Sequence, residues 1–123
     1  KHCSLIIHQQ AYAKTLHRHV SINPNINESA AKVIAKDLLM SIWRLHNCNY
    51  VHCDIKPDNI MYRQLDDLYA SDHIKDGWQL IDFGEIRKAK SNGVYIGTLG
   101  WSAPELEYNG RNNKYTKSVD IFA

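Results

Sequence analysis

Asp54 lies two residues before Lys56 and five before Asn59, in the run His52-Cys53-Asp54-Ile55-Lys56-Pro57-Asp58-Asn59. A carboxylate on such a loop can take the proton of a hydroxyl and aim its oxygen for attack. Lys56 can place a cation beside a group that gains negative charge. Asn59 offers a neutral oxygen, and Asp82, in Asp82-Phe83-Gly84, offers a charged one. Mg²⁺ prefers hard oxygen ligands and keeps water and phosphate in its shell, so one or two protein ligands suffice. Taken singly, Asp54, Asp58 and Asp82 read as solvated loop carboxylates. Taken with Lys56 and Asn59, they suit transfer of a phosphoryl group from a metal-neutralised phosphate to a hydroxyl.

The order of the motifs narrows this. His52-x-Asp54-x-x-x-x-Asn59 comes first, Asp82-Phe83-Gly84 follows apolar Leu80-Ile81, and Ala103-Pro104-Glu105 comes third. In that order and at that spacing the chain resembles the eukaryotic-type protein kinase family over nearly its whole length. Lys56-Pro57-x-Asn59 and Gly97-Thr98-x-x-Trp101-x-Ala103-Pro104-Glu105 are similar to the Ser/Thr branch.

The resemblance implies an α+β, protein-kinase-like fold. Its part here is a mainly helical C-terminal lobe with a small β-hairpin carrying the catalytic and metal-binding loops. Residues 1–123 are expected to form one partial catalytic domain, from the hinge to the opening of the central helix. Both ends look cut: the first residue is Lys, and the last residues are apolar.

It also implies roles. Asp54 would be the catalytic base, Lys56 the cation at the transferring phosphate, and Thr98 a bridge bonding both. Asn59 and Asp82 would hold Mg²⁺–ATP, Met61 and Ile81 would lie against adenine, and backbone at His8 to Gln10 would be hinge. His52 and Phe83 would join an internal hydrophobic spine. Asp120 would tie the catalytic loop to the central helix. The partners implied are ATP and a protein substrate phosphorylated on Ser or Thr.

Two features depart from the family pattern. Cys53 stands where the family usually has the Arg that pairs with a phosphate on the activation loop. The stretch between Asn59 and Asp82 is longer than the usual turn, and residues 64–77 read as an acidic, exposed insertion.

The elements that must position these residues follow from periodicity. Asn27 is a helix N-cap with Ile26 before it as a staple. Ala31, Ile34, Ala35, Leu38, Ile42 and Leu45 recur at helical spacing, so Glu28 to Asn47 reads as a long amphipathic helix. Leu5-Ile6-Ile7 reads as a strand. Residues 11–19 read as a short helix with Leu16 and Val20 inward. Asn59 to Tyr62 and Trp78 to Ile81 read as strands, residues 84–102 as irregular, and a short helix is expected from Ala103. Glu107 to Tyr115 reads as polar loop, and Thr116 to Ala123 as the opening of a further helix.

Composition excludes several classes. A net charge of +2 with no basic tail argues against a nucleic-acid partner. Three cysteines, at 3, 48 and 53, form no CxxC, which argues against a disulfide scaffold or a zinc site. An intracellular setting, cytoplasmic or nuclear, follows from that cysteine usage. No apolar run is long enough to span a membrane. Two alternatives remain beside the active kinase: a pseudokinase acting as scaffold or allosteric binder, and a small-molecule kinase. The second normally lacks the segment from Gly97 to Glu105, which serves peptide docking.

Overall fold

A computed structural model describes residues 14–64, 76–108 and 112–123. The expected strand at Leu5-Ile6-Ile7, the hinge at His8 to Gln10 and most of the 64–77 insertion lie outside the described residues.

Strand β1 (Lys14–Thr15) runs directly into helix α1 (Leu16–Ile22). The Thr15 hydroxyl accepts from the Arg18 N–H and caps that helix. The sequence expectation of a helix over 11–19 is therefore corrected at Lys14 and Thr15, which pair with β3 instead. Leu16 packs inward as expected, but Val20 is exposed.

Helix α2 (Glu28–Asn47) has the predicted bounds. The Asn27 side chain accepts from the Ala30 N–H at 2.8 Å, which satisfies one of the first turn's orphan donors. The helix stops where Asn49 takes a left-handed φ of 63°, a conformation Asn tolerates. Its packed stripe is narrower than the sequence suggests. Ile34, Leu38 and Ile42 face the core, while Ala31 and Ala35 are exposed.

Strands β3 (Ile60–Arg63) and β4 (Gly77–Leu80) pair antiparallel, with Ile60 opposite Leu80, and β1 adds to the other edge of β3. Ile42 of α2 packs with Ile55, Ile60, Trp78 and Leu80 in a first core. Truncating a side chain such as Ile42 to Ala costs about 2–5 kcal/mol in a packed core of this kind. Asp37 of α2 accepts the Trp78 N–H at 3.0 Å, which ties the helix to the start of β4.

Two further small ladders lie among the described residues. β2 (Tyr50–Val51) pairs with β5 (Arg87–Lys88), and β6 (Asn92–Gly93) pairs with β7 (Asn113–Lys114). Helices α3 (Pro104–Tyr108) and α4 (Val119–Phe122) follow. The expected loop over 107–115 is corrected where it meets the core. Glu107 and Tyr108 close α3, Tyr115 is buried, and β7 pairs in register. Polar composition hid Tyr115 because its inward position is single rather than periodic. A second core gathers Val51, Cys53, Ala89, Ile96, Ala103, Leu106, Tyr115 and Val119. Among the described residues no helix is long and apolar enough to cross a membrane.

Candidate active site

Cys53 belongs to the second core and Ile55 to the first, with Asp54 between them. Two buried neighbours thus anchor the loop on either side of the carboxylate. Asn59, at the end of a 3₁₀ turn over Pro57–Asn59, donates Nδ2 to both the Asp54 carbonyl (2.9 Å) and Asp54 Oδ2 (2.8 Å). Lys56 Nζ lies 3.0 Å from Asp54 Oδ2. Thr98 arrives from a distant segment. Its hydroxyl donates to Asp54 Oδ1 at 2.6 Å and accepts from Lys56 Nζ at 2.6 Å. Asp54, Lys56, Asn59 and Thr98 therefore form one hydrogen-bonded group.

Burial alone would raise the Asp54 pKa. Hydrogen bonds from Thr98, Lys56 and Asn59, with the Lys56 charge, outweigh it and hold the carboxyl below its ordinary value. The group is thus kept ionised, as a proton acceptor must be.

Asp82 is brought to the same loop through Ile81. The Ile81 N–H donates to the Asn59 carbonyl at 2.9 Å. The Ile81 carbonyl accepts from His52 Nε2 at 3.0 Å. Because His52 Nδ1 accepts from the Asp54 N–H, the ring proton sits on Nε2. Burial lowers the His52 pKa, against smaller raising contributions from the Ile81 carbonyl and Asp120, and this keeps the imidazole neutral. Asp82 itself takes a left-handed φ of 59°, and its Oδ1 accepts from the Gly84 N–H at 3.2 Å. His52 is fully buried, while Phe83 packs edge-on against it at 5.3 Å yet stays half exposed. The expectation of Phe83 as an internal residue is corrected to that extent.

Asp120 accepts from the His52 N–H at 2.8 Å and the Cys53 N–H at 2.9 Å, so the first turn of α4 holds the loop backbone. His46 Nε2 donates to the same carboxylate at 2.8 Å.

The oxygens present suit Mg²⁺. Asn59 spends its amide nitrogen on Asp54, which leaves the amide oxygen as the atom for a cation. Asp82 adds an exposed carboxylate. Among the described residues no group of three or more His, Cys, Asp or Glu is placed to hold a metal alone. An ion held at Asn59 and Asp82 would therefore draw further ligands from phosphate and water. Met61 and Ile81 follow Ile60 and Leu80, whose side chains enter the first core, so strand alternation puts Met61 and Ile81 on the opposite face.

The protein kinase domain description matches residues 1–123. This chain belongs to the protein kinase family. It is 33% identical over 101 residues to a Rho-associated protein kinase of Caenorhabditis briggsae, covering 77% of this chain and 8% of that protein. It is 38% identical over 100 residues to a probable myosin light chain kinase of Dictyostelium discoideum, covering 79% and 18%. The serine/threonine-protein kinase RAD53 of Saccharomyces cerevisiae is 29% identical over 119 residues, covering 85% and 13%. The chain spans less than a fifth of the length of these relatives.

Within this kinase chain, sequence reasoning passed over His46 and Asp37. Each is a polar residue on the inward side of α2 that meets a distant partner. His46 carried one signal, its place four residues after buried Ile42. Cys53 turns its thiol into the second core. Burial, with Asp120 nearby, pushes its pKa up to about 12, so it stays a protonated, apolar filler.

Proposed function

We propose that the protein carrying this chain transfers the γ-phosphoryl group of Mg²⁺-bound ATP to Ser or Thr hydroxyls of protein substrates. The observation that supports this best is the Asp54–Thr98–Lys56 triangle, with each side between 2.6 and 3.0 Å. In this reading Asp54 receives the acceptor's proton while that oxygen bonds to phosphorus and the bond to ADP breaks. Lys56 offers its charge to the phosphoryl oxygens in flight. Thr98 orients both side chains. Asn59 and Asp82 would hold Mg²⁺, which when bound neutralises phosphate charge. Met61 and Ile81 would lie against the adenine ring. Ser/Thr rather than Tyr acceptors are favoured by Lys56 with Thr98, and by a relative named as a serine/threonine-protein kinase.

The test is transfer of labelled phosphate from Mg²⁺–ATP to protein by the intact protein, with phosphoamino-acid analysis of the products. Asp54→Asn is expected to lower kcat by about 100-fold or more, the usual scale of a positioned general base. Wild-type turnover in that variant, or mainly phosphotyrosine among the products, overturns the reading.

A further inference from the structure

Thr98 is held from behind as well as in front. Its carbonyl accepts from the Trp101 N–H (3.0 Å), the Ser102 N–H (3.1 Å) and the Ser102 hydroxyl (3.0 Å). A serine hydroxyl carries one proton, and here that proton points at the Thr98 carbonyl. The Tyr95 hydroxyl lies 3.0 Å from the same Ser102 oxygen, so Tyr95 is the donor of that pair. The direction of every bond is then fixed. Tyr95 donates to Ser102, Ser102 donates to the Thr98 carbonyl, and the Thr98 hydroxyl donates to Asp54.

The far end of this chain is anchored. Tyr95 packs against the second core. The residue before it, Val94, receives the hydroxyl of fully buried Tyr115 on its carbonyl. Lys90 N–H donates to the Tyr115 carbonyl at 2.7 Å, and Tyr115 N–H donates to the Ser91 carbonyl at 3.0 Å. Ser102 is itself buried, and a Cβ at Gly97 would lie 2.7 Å from its oxygen.

We propose that Tyr95 and Ser102 are positioning residues for the phosphoryl-transfer site: their paired hydroxyls fix the turn that carries Thr98, and through it the aim of Asp54. This rests on the function proposed above. Neither residue touches the reacting atoms. The sequence pattern gives no hint of the pair, because residue types seven positions apart on an irregular segment carry no periodic signal. The hydrogen bonds of this network are part-buried, and a partner left unpaired there costs more than the net value of the bond it lost.

The experiment uses the intact protein with Tyr95→Phe, Ser102→Ala and the double variant. Tyr95→Phe keeps the ring and its packing and removes only the donor. Both single variants are expected to lower kcat for peptide phosphorylation by about 2- to 10-fold, the scale of one net hydrogen bond, with the KM for ATP within about twofold. Because the two act in series, the double variant should be no worse than the weaker single variant. Wild-type kcat in either single variant overturns the proposal, as do losses that multiply in the double variant.

Hydrogen exchange supplies a readout independent of turnover. The Trp101 and Ser102 amides should exchange faster in Tyr95→Phe than in wild type, and unchanged exchange overturns the proposal. Should wild type transfer no phosphate, the functional reading fails by itself and the exchange comparison still decides the positioning role.

Discussion

The Thr98 hydroxyl donates to Asp54 Oδ1 at 2.6 Å, joining residues 44 positions apart in sequence. This bond is a main reason the Asp54 carboxyl stays ionised below the ordinary Asp range despite partial burial. A folded pKa below the unfolded one contributes stability above the unfolded value, about 3.9, and loses it as pH falls through the folded value.

Thr98→Val keeps the shape and removes the donor. The Asp54 pKa should rise, and the acidic limb of the kcat/KM profile should move to higher pH. Since a hydrogen bond to a charged group contributes roughly 1.5–3 kcal/mol, kcat should fall by about 10- to 100-fold. A pH–rate profile with its acidic limb unmoved would show that Thr98 does not set the Asp54 charge.

Gly97 makes that bond reachable. It sits at φ 104°, and a Cβ there would lie 2.6 Å from the Cys53 carbonyl oxygen. Gly100 has φ 86° but open space around it. Gly97→Ala should therefore cost conformational strain plus a backbone clash, about 3 kcal/mol or more, against about 1 kcal/mol for Gly100→Ala. Urea unfolding of the two variants checks the ranking, and equal midpoints would contradict it.

Helix α2 was legible because Ile34, Leu38 and Ile42 repeat at 3.6 spacing and Asn27 caps them. Asp54, Lys56, Asn59 and Thr98 were legible as residue types in two motifs, and the structure joins them by hydrogen bonds. What sequence could not supply is the company they keep. Tyr115 fell in a polar stretch, and nothing local shows that its side chain enters a core with Val51 and Val119. His46 looks like a helix-end residue until Asp120 is brought to it from the far end of the chain. Val20 misled because an amphipathic reading assigns a face but cannot say where the neighbouring layer ends.

Asp120 and His46 should differ in their contributions to stability. Asp120 serves the His52 and Cys53 amides as well as His46. Asp120→Ala strands two buried amides, at about 1–3 kcal/mol each. His46→Ala leaves both amides paired and should cost less. Chemical denaturation of the two variants tests the order, and a larger loss in His46→Ala would mean that the loop backbone does not depend on Asp120.

Cys53 bears on control of the site. Its thiol faces Ala103, Leu106 and Val119 with its pKa pushed up to about 12, so it offers no charge to a phosphate. The nearest cation along the following segment, Arg87, already spends its guanidinium on Glu85 (3.3 Å) and the Ile86 carbonyl (2.9 Å). The hydroxyls on that segment are also engaged: Ser91 donates to the Lys88 carbonyl, Tyr95 to Ser102, and Thr98 to Asp54. A phosphoryl group at any of them would replace a native hydrogen bond, with exposed Lys88 and Lys90 as the cations on the segment that could receive it. Phosphatase treatment of the intact protein should accordingly leave its transfer activity within a few-fold. Alkylation by iodoacetamide should label exposed Cys48 and spare buried Cys53, since the thiolate is the nucleophile. A loss of 100-fold or more after phosphatase, with Ser91 or Tyr95 mapped as the modified residue, would show that the segment rearranges around a phosphate. Rapid labelling of Cys53 in the native protein would show that its core opens.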